Sequence, residues 1–94
     1  MERDFEVVYA EDVVREDIPA LSSVARSRVR RAIESKLTTE PEIYGKPLRR
    51  SLRGYRSLRV GEYRVVFRIT GNVDKVLLIA HRRTVYQVAD KRLA

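Results

Sequence analysis

Two short breaks, Gly61-Glu62 and Gly71-Asn72, separate three apolar-rich runs between Tyr55 and Ala80. No other feature of the chain narrows its fold so far. Two-residue loops that open on glycine suit the primed turns joining antiparallel strands, whose first central position needs a positive φ. The spacing predicts a three-stranded antiparallel meander over residues 55–60, 63–70 and 73–81.

Tight turns fix register, and register fixes which side chains share a face. Val60 should oppose Tyr63, Leu58 should oppose Val65, and Arg56 should oppose Phe67. That face is mostly apolar and should meet helices. On the other face Arg59 should oppose Arg64, Ser57 should oppose Val66, and Tyr55 should oppose Arg68. Strict alternation past Gly71-Asn72 assigns Lys75, Leu77, Ile79 and His81 to the arginine face. Val76, Leu78 and Ala80 then fall on the helix side. Arg82 falls there too, unless a bulge or strand end before it turns it over. Val66, Leu77 and Ile79 would leave an apolar strip on the basic face, to be covered by the C-terminal segment or by a partner protein.

The rest of the chain supplies helices. Phe5, Val7 and Tyr9 alternate with Asp4, Glu6 and Val8, as in a short half-buried strand. Glu11 and Asp12 suit the first turn of a helix whose apolar stripe is Val14, Ile18 and Leu21. Pro19 should end or kink it. Ser22 or Ser23 can cap a second helix, with Ala25, Val29, Ala32, Ile33 and Leu37 on its apolar face. Residues 38–47 hold two prolines and Gly45 and read as a loop. Thr84 to Ala94 can form a short helix carrying Val85, Val88 and Leu93. The expected fold is α+β: a small antiparallel sheet of about four strands in β-α-α-β-β-β order, an N-terminal helical hairpin on one face, and a short C-terminal helix. At 94 residues the expectation is one domain spanning 1–94.

Charge is concentrated in the same region as the turns. The segment from Lys46 to Arg68 holds eight Lys/Arg and one acid, Glu62, while the other 71 residues hold twelve of each sign. The whole formal excess of +7 therefore lies there, favouring an anionic partner such as nucleic acid. Arg59 opposite Arg64 would be a like-charge pair, which costs a few tenths of a kcal/mol or more in a sheet. Two adjacent guanidinium groups are well suited to phosphate, which they grip through forked hydrogen bonds. Arg49, Arg50, Arg53, Arg68, Lys75 and Arg83 extend this set of candidate phosphate contacts. His81 is a candidate acid or base, a role that histidine side chains often take. Tyr86 is a candidate platform for a nucleobase. There is no cysteine, which fits a reducing cytoplasm. No apolar run reaches the ~18 residues needed for a membrane helix. With one histidine and no thiolate, no metal site is expected, and no other cofactor.

The pattern resembles the RelE/ParE toxin superfamily of bacterial and archaeal toxin–antitoxin systems. The resemblance covers essentially the whole chain. Its most specific pieces are Leu58-Arg59-Val60-Gly61-Glu62-Tyr63-Arg64 and Ala80-His81-Arg82-Arg83-Thr84-Val85-Tyr86. It implies a metal-free, ribosome-dependent mRNA endoribonuclease that inhibits translation by attack of a ribose 2′-OH on the adjacent phosphate. Arg59 and Arg64 would hold phosphate and stabilise developing charge. Arg82 would stabilise charge or donate a proton, Tyr86 would stack on or orient a base, and His81 lies beside this set. The first basic residue of the pre-turn strand, a lysine in strongly active RelE-type proteins, is Ser57 here. The implied partners are a cognate acidic antitoxin, the ribosome and mRNA, with no membrane and no small-molecule substrate. Two alternatives stand beside this one: a ParE-like toxin that inhibits DNA gyrase without nuclease chemistry, and a catalytically weak or inactive RNA-binding member.

Overall fold

The computed structural model describes residues 5–48 and 52–93. Its centre is the meander: β3 (Arg56–Val60), β4 (Tyr63–Thr70) and β5 (Val73–His81). Gly61 and Gly71 take positive φ, 58° and 62°, as tight turns require of their first position. The register across the first turn is the predicted one. Val60 faces Tyr63, Leu58 faces Val65, Arg56 faces Phe67, Arg59 faces Arg64 and Ser57 faces Val66.

The sheet is larger than expected and is mixed. Its five strands run β1-β5-β4-β3-β2. β1 (Glu6–Tyr9) pairs in parallel with β5. The residues expected to form a loop contain a short helix, α3 (Pro41–Tyr44), and a two-residue strand, β2 (Lys46–Pro47). Both are too short to show a hydrophobic period, which is why sequence reading passes over them. Pro47 has no N–H, so it suits the sheet edge where β2 lies.

Helices cover one face. A π-helical turn at Val13–Asp17 runs into α1 (Ile18–Ala20), and α2 (Ser23–Ala32) continues as a second π-helical stretch to Leu37. The first helix ends one residue past Pro19, and the wider turn before that proline accommodates its ring. The extra residue per turn also rotates the helix. Val13 is fully buried where Val14, expected in the core, is 54% exposed. Ser22 Oγ accepts from the N–H of Ala25 at 3.1 Å and caps α2. Val13, Leu21, Val29, Ile33 and Leu37 pack on Leu58, Val65, Phe67, Val76 and Ile79 of the sheet.

The opposite face carries a second, smaller core beneath α4 (Val85–Leu93). Val85 and Ala89 pack there with Val66, Leu78 and Leu52. Two residues reach this core against expectation, because β5 carries a bulge. Phe67 pairs with Val76, yet Val66 pairs with Leu78, so Leu77 is left over. Beyond the bulge alternation is reversed. Leu78 and Ala80 lie on the arginine face, whereas Ile79 and His81 lie on the helix side. The covered apolar strip is therefore Val66, Leu78 and Ala80, and the C-terminal helix covers it.

The bulge is held from both sides. Asp17 Oδ2 accepts the N–H of Ile79 at 2.9 Å. Arg92 Nη1 donates to Asp17 Oδ2 at 2.7 Å and to the Leu77 carbonyl at 3.4 Å, and Arg92 Nη2 donates to Asp17 Oδ1 at 3.1 Å. One ion pair thus satisfies backbone groups that a bulge leaves unpaired, while joining the first helix to the last.

Candidate phosphate-binding cleft

The bulge decides which groups meet on the α4 side of the sheet. With alternation reversed, the residue after His81 turns toward the arginine face. Arg82 there joins Arg64 from β4 and Tyr86 from the first turn of α4. Together with Lys46, Leu48, Leu52, Ser57 and Val85 they line a cleft of about 240 Å³. Among the described residues three cations line this cleft, and no carboxylate does. Ser57 is nearly buried, Arg64 is half-buried, and Arg82, Lys46 and Tyr86 are exposed.

Arg82 is anchored from behind. Its N–H donates to the Glu62 carbonyl at 2.8 Å, and its Nε donates to Glu62 Oε1 at 3.1 Å. The turn that contains the one acid of the basic segment therefore fixes the end of β5. Fork-shaped guanidinium groups from β4 and from the turn after β5, a tyrosine ring and an ammonium around one small cleft can bind a phosphodiester and hold the base next to it.

The remaining candidates are dispersed. Arg59 is exposed opposite Arg64 on the same face but does not line the cleft. His81 does not face the site, correcting its expected placement on the arginine face. It stands edge-on to Tyr63 at 5.7 Å, its Nε2 is 3.7 Å from Glu62 Oε1, and its Nδ1 accepts the N–H of Arg83 at 3.1 Å. These contacts pack it against Tyr63 and the turn that follows β5. Arg83 is exposed in that turn, and Arg53 is exposed in the turn before β3. Arg68 lies over the Tyr55 ring at 5.5 Å and opposite Lys75, away from the cleft. Arg49 and Arg50 lie outside the described residues.

Sequence reasoning missed Lys46 as a lining residue, because it sat in a presumed loop. One local signal was present: the residue before a proline is forced toward extended backbone, so Lys46-Pro47 was predisposed to add to a sheet edge.

The sequence profile of one family, described as the ParE toxin of type II toxin–antitoxin systems (parDE), matches residues 5–86. A search of curated protein sequences gives no match. Among solved structures, a chain of the toxin–antitoxin complex RelBE2 from Mycobacterium tuberculosis is 32% identical, with a TM-score of 0.78 over 84% of this chain and 99% of that one. The isolated RelE toxin of E. coli is 18% identical, with a TM-score of 0.67 over 96% and 99% of the two chains. A chain of the RelB–RelE complex from Methanococcus jannaschii is 18% identical, with a TM-score of 0.65 over 86% and 96%. These last two share the fold. With the profile matching most of its length, this chain belongs to the ParE toxin family of type II toxin–antitoxin systems, within the RelE/ParE superfamily.

Proposed function

We propose that the protein is a RelE-like toxin that cuts mRNA on the ribosome and so inhibits translation in the cytoplasm, held inactive by a cognate acidic antitoxin. The observation that carries this reading is the convergence of Arg64, Arg82 and Tyr86 on one cleft. Cleavage by 2′-OH attack develops negative charge on the phosphate, and preorganised cations stabilise that charge most where they cost no rearrangement. Arg64 and Arg82 take this role. Tyr86 stacks on the adjacent base and sets the angle of attack. Arg59, exposed beside Arg64, holds a neighbouring phosphate. An antitoxin partner is supported by relatives solved as toxin–antitoxin complexes.

A second reading has its own support. The matching family description is ParE, and Ser57 stands where strongly active RelE-type proteins carry lysine. In that reading the toxin inhibits DNA gyrase without cutting RNA. Mapping mRNA 5′ ends after induction separates the two. Codon-phased cuts within translated frames are expected. Intact mRNA with DNA-damage signalling would favour the gyrase reading, and intact mRNA without it a binding-only member.

Arg64→Ala should abolish growth arrest while shifting stability by only about 0.5 kcal/mol, as for most substitutions outside the core. Growth curves and thermal melts of the purified variant check both halves. Arrest as rapid as in the wild type would remove the nuclease assignment.

A further inference from the structure

We propose that Lys46 supplies the catalytic ammonium missing at Ser57, from the neighbouring strand. The inference rests on the endonuclease reading above and names a further residue of that site. Lys46 and Ser57 are direct cross-strand partners in the β2–β3 pair. Directly opposed residues project to the same face with Cβ atoms about 5 Å apart. A lysine stem is long enough to span that separation, so an ammonium from position 46 reaches the space that one from position 57 would fill. Both residues line the cleft with Arg64, Arg82 and Tyr86. Ser57, short and nearly buried, leaves that space open.

The backbone at Lys46 is held more firmly than a solvating lysine requires. Pro47 restricts it to extended conformations. The Arg56 guanidinium donates to the Gly45 carbonyl at 2.9 Å and to the Glu42 carbonyl at 3.2 Å. Gly45 lies so close to the Phe67 ring that a Cβ there would overlap it. Two of these contacts seat the residue just before Lys46 against the sheet. Among the described residues no carboxylate lies within ion-pair distance of the Lys46 ammonium, which leaves it available for phosphate.

In the reaction the 2′-oxygen forms a bond to phosphorus as its proton passes to water. The P–O5′ bond breaks, and O5′ takes up a proton. The products are a 2′,3′-cyclic phosphate and a 5′-hydroxyl, with no co-reactant consumed. Lys46 stays protonated throughout. It hydrogen-bonds a non-bridging oxygen whose charge grows in the transition state, so its contribution falls on the chemical step.

The test is single-turnover cleavage of mRNA on programmed ribosomes by the purified toxin, with melting temperatures recorded for each variant. Lys46→Ala should lower the rate at saturating toxin about a hundredfold, the effect of losing one such donor. Lys46→Arg should stay within about tenfold of the wild type. Ser57→Lys in the Lys46→Ala background should recover at least a tenfold gain, because the ammonium returns from the adjacent strand. Wild-type rates in Lys46→Ala would overturn the proposal. So would a slow Lys46→Ala that neither Lys46→Arg nor the relocated lysine improves, since that pattern belongs to a structural residue. If the relocated lysine fails to fold, Lys46→Arg alone decides. Wild-type toxin that leaves ribosome-bound mRNA intact would instead remove the endonuclease reading, a result read before any variant is compared.

Discussion

Asp74 is the residue whose environment is least favourable to its chemistry. It is fully buried on β5, opposite Val7 of β1 and Ile69 of β4. Among the described residues neither carboxylate oxygen has a hydrogen-bond partner. Burial first, and the negative charge of Glu42 second, push its pKa from 3.8 up to about 6. A carboxyl raised in the folded state costs nothing below its unfolded pKa, where both states are protonated. As pH climbs from about 4 to 6 the unfolded chain ionises first and stability falls, and above about 6 the full penalty remains. Two units correspond to about 2–3 kcal/mol. Asp74→Val should therefore stabilise the protein by roughly that amount at pH 7.5 and by little at pH 4. Urea titrations at the two pH values measure it. Parallel pH profiles for the two proteins would mean that Asp74 is compensated in solution. Arg64 should behave oppositely: it is half-buried at a cleft, so its loss should cost little folding energy.

Among the elements, β5 shows why part of this fold was legible in the sequence and part was not. Register across Gly61-Glu62 could be read because two glycine-led residues leave the chain one geometry, and the faces of Leu58, Ser57, Arg59 and Arg64 followed. The bulge at Leu77 could not be read. It depends on Asp17 and Arg92, which meet Ile79 and Leu77 only after the first and last helices have docked. His81 and Ile79 were consequently assigned to the wrong face, and Arg82 was reconciled with the basic face only by the structure. β2 was hidden by its length, and Lys46 with it. The ion pair that sets the bulge is largely removed from water, with side-chain exposures of 17% for Arg92 and 9% for Asp17. The hydrogen bond to Asp17, more than the nearby Asp12 and Glu16, pushes the Arg92 pKa upward. Breaking one partner of such a pair strands the other, at a cost of about 3 kcal/mol. Asp17→Ala should lower stability by about that much in urea titrations and speed amide exchange at Ile79 at least tenfold. The charge swap Asp17→Arg with Arg92→Asp should not recover it, because arginine cannot accept the Ile79 N–H. Full recovery in the swap would reduce the contact to simple charge pairing.

At the scale of the whole molecule, two basic surfaces lie on opposite sides of the sheet. Arg28, Arg30 and Arg31 are exposed along α2, on the helix side. Lys46, Arg64 and Arg82, which line the cleft, belong to the α4 side, and Arg59 lies beside Arg64 on the same face. Net charge of +7 draws nucleic acid toward both, so attraction alone does not identify the working face. Counterion release does, because each cation that neutralises a phosphate adds about 0.7 to the negative slope of log affinity against log salt for single-stranded RNA. Three contacts at the cleft and one at Arg59 beside it predict a slope of about −3. A short RNA with 2′-O-methyl groups, which block cleavage, can be followed by fluorescence anisotropy across a range of KCl concentrations. Lys46→Ala and Arg64→Ala should each bring the slope nearer zero by about 0.7. Arg31→Ala should leave it unchanged, since that guanidinium extends from the helix covering the other face. An equal change from Arg31→Ala would assign the RNA to α2, and a slope near zero in the wild type would remove single-stranded RNA as a ligand of this face.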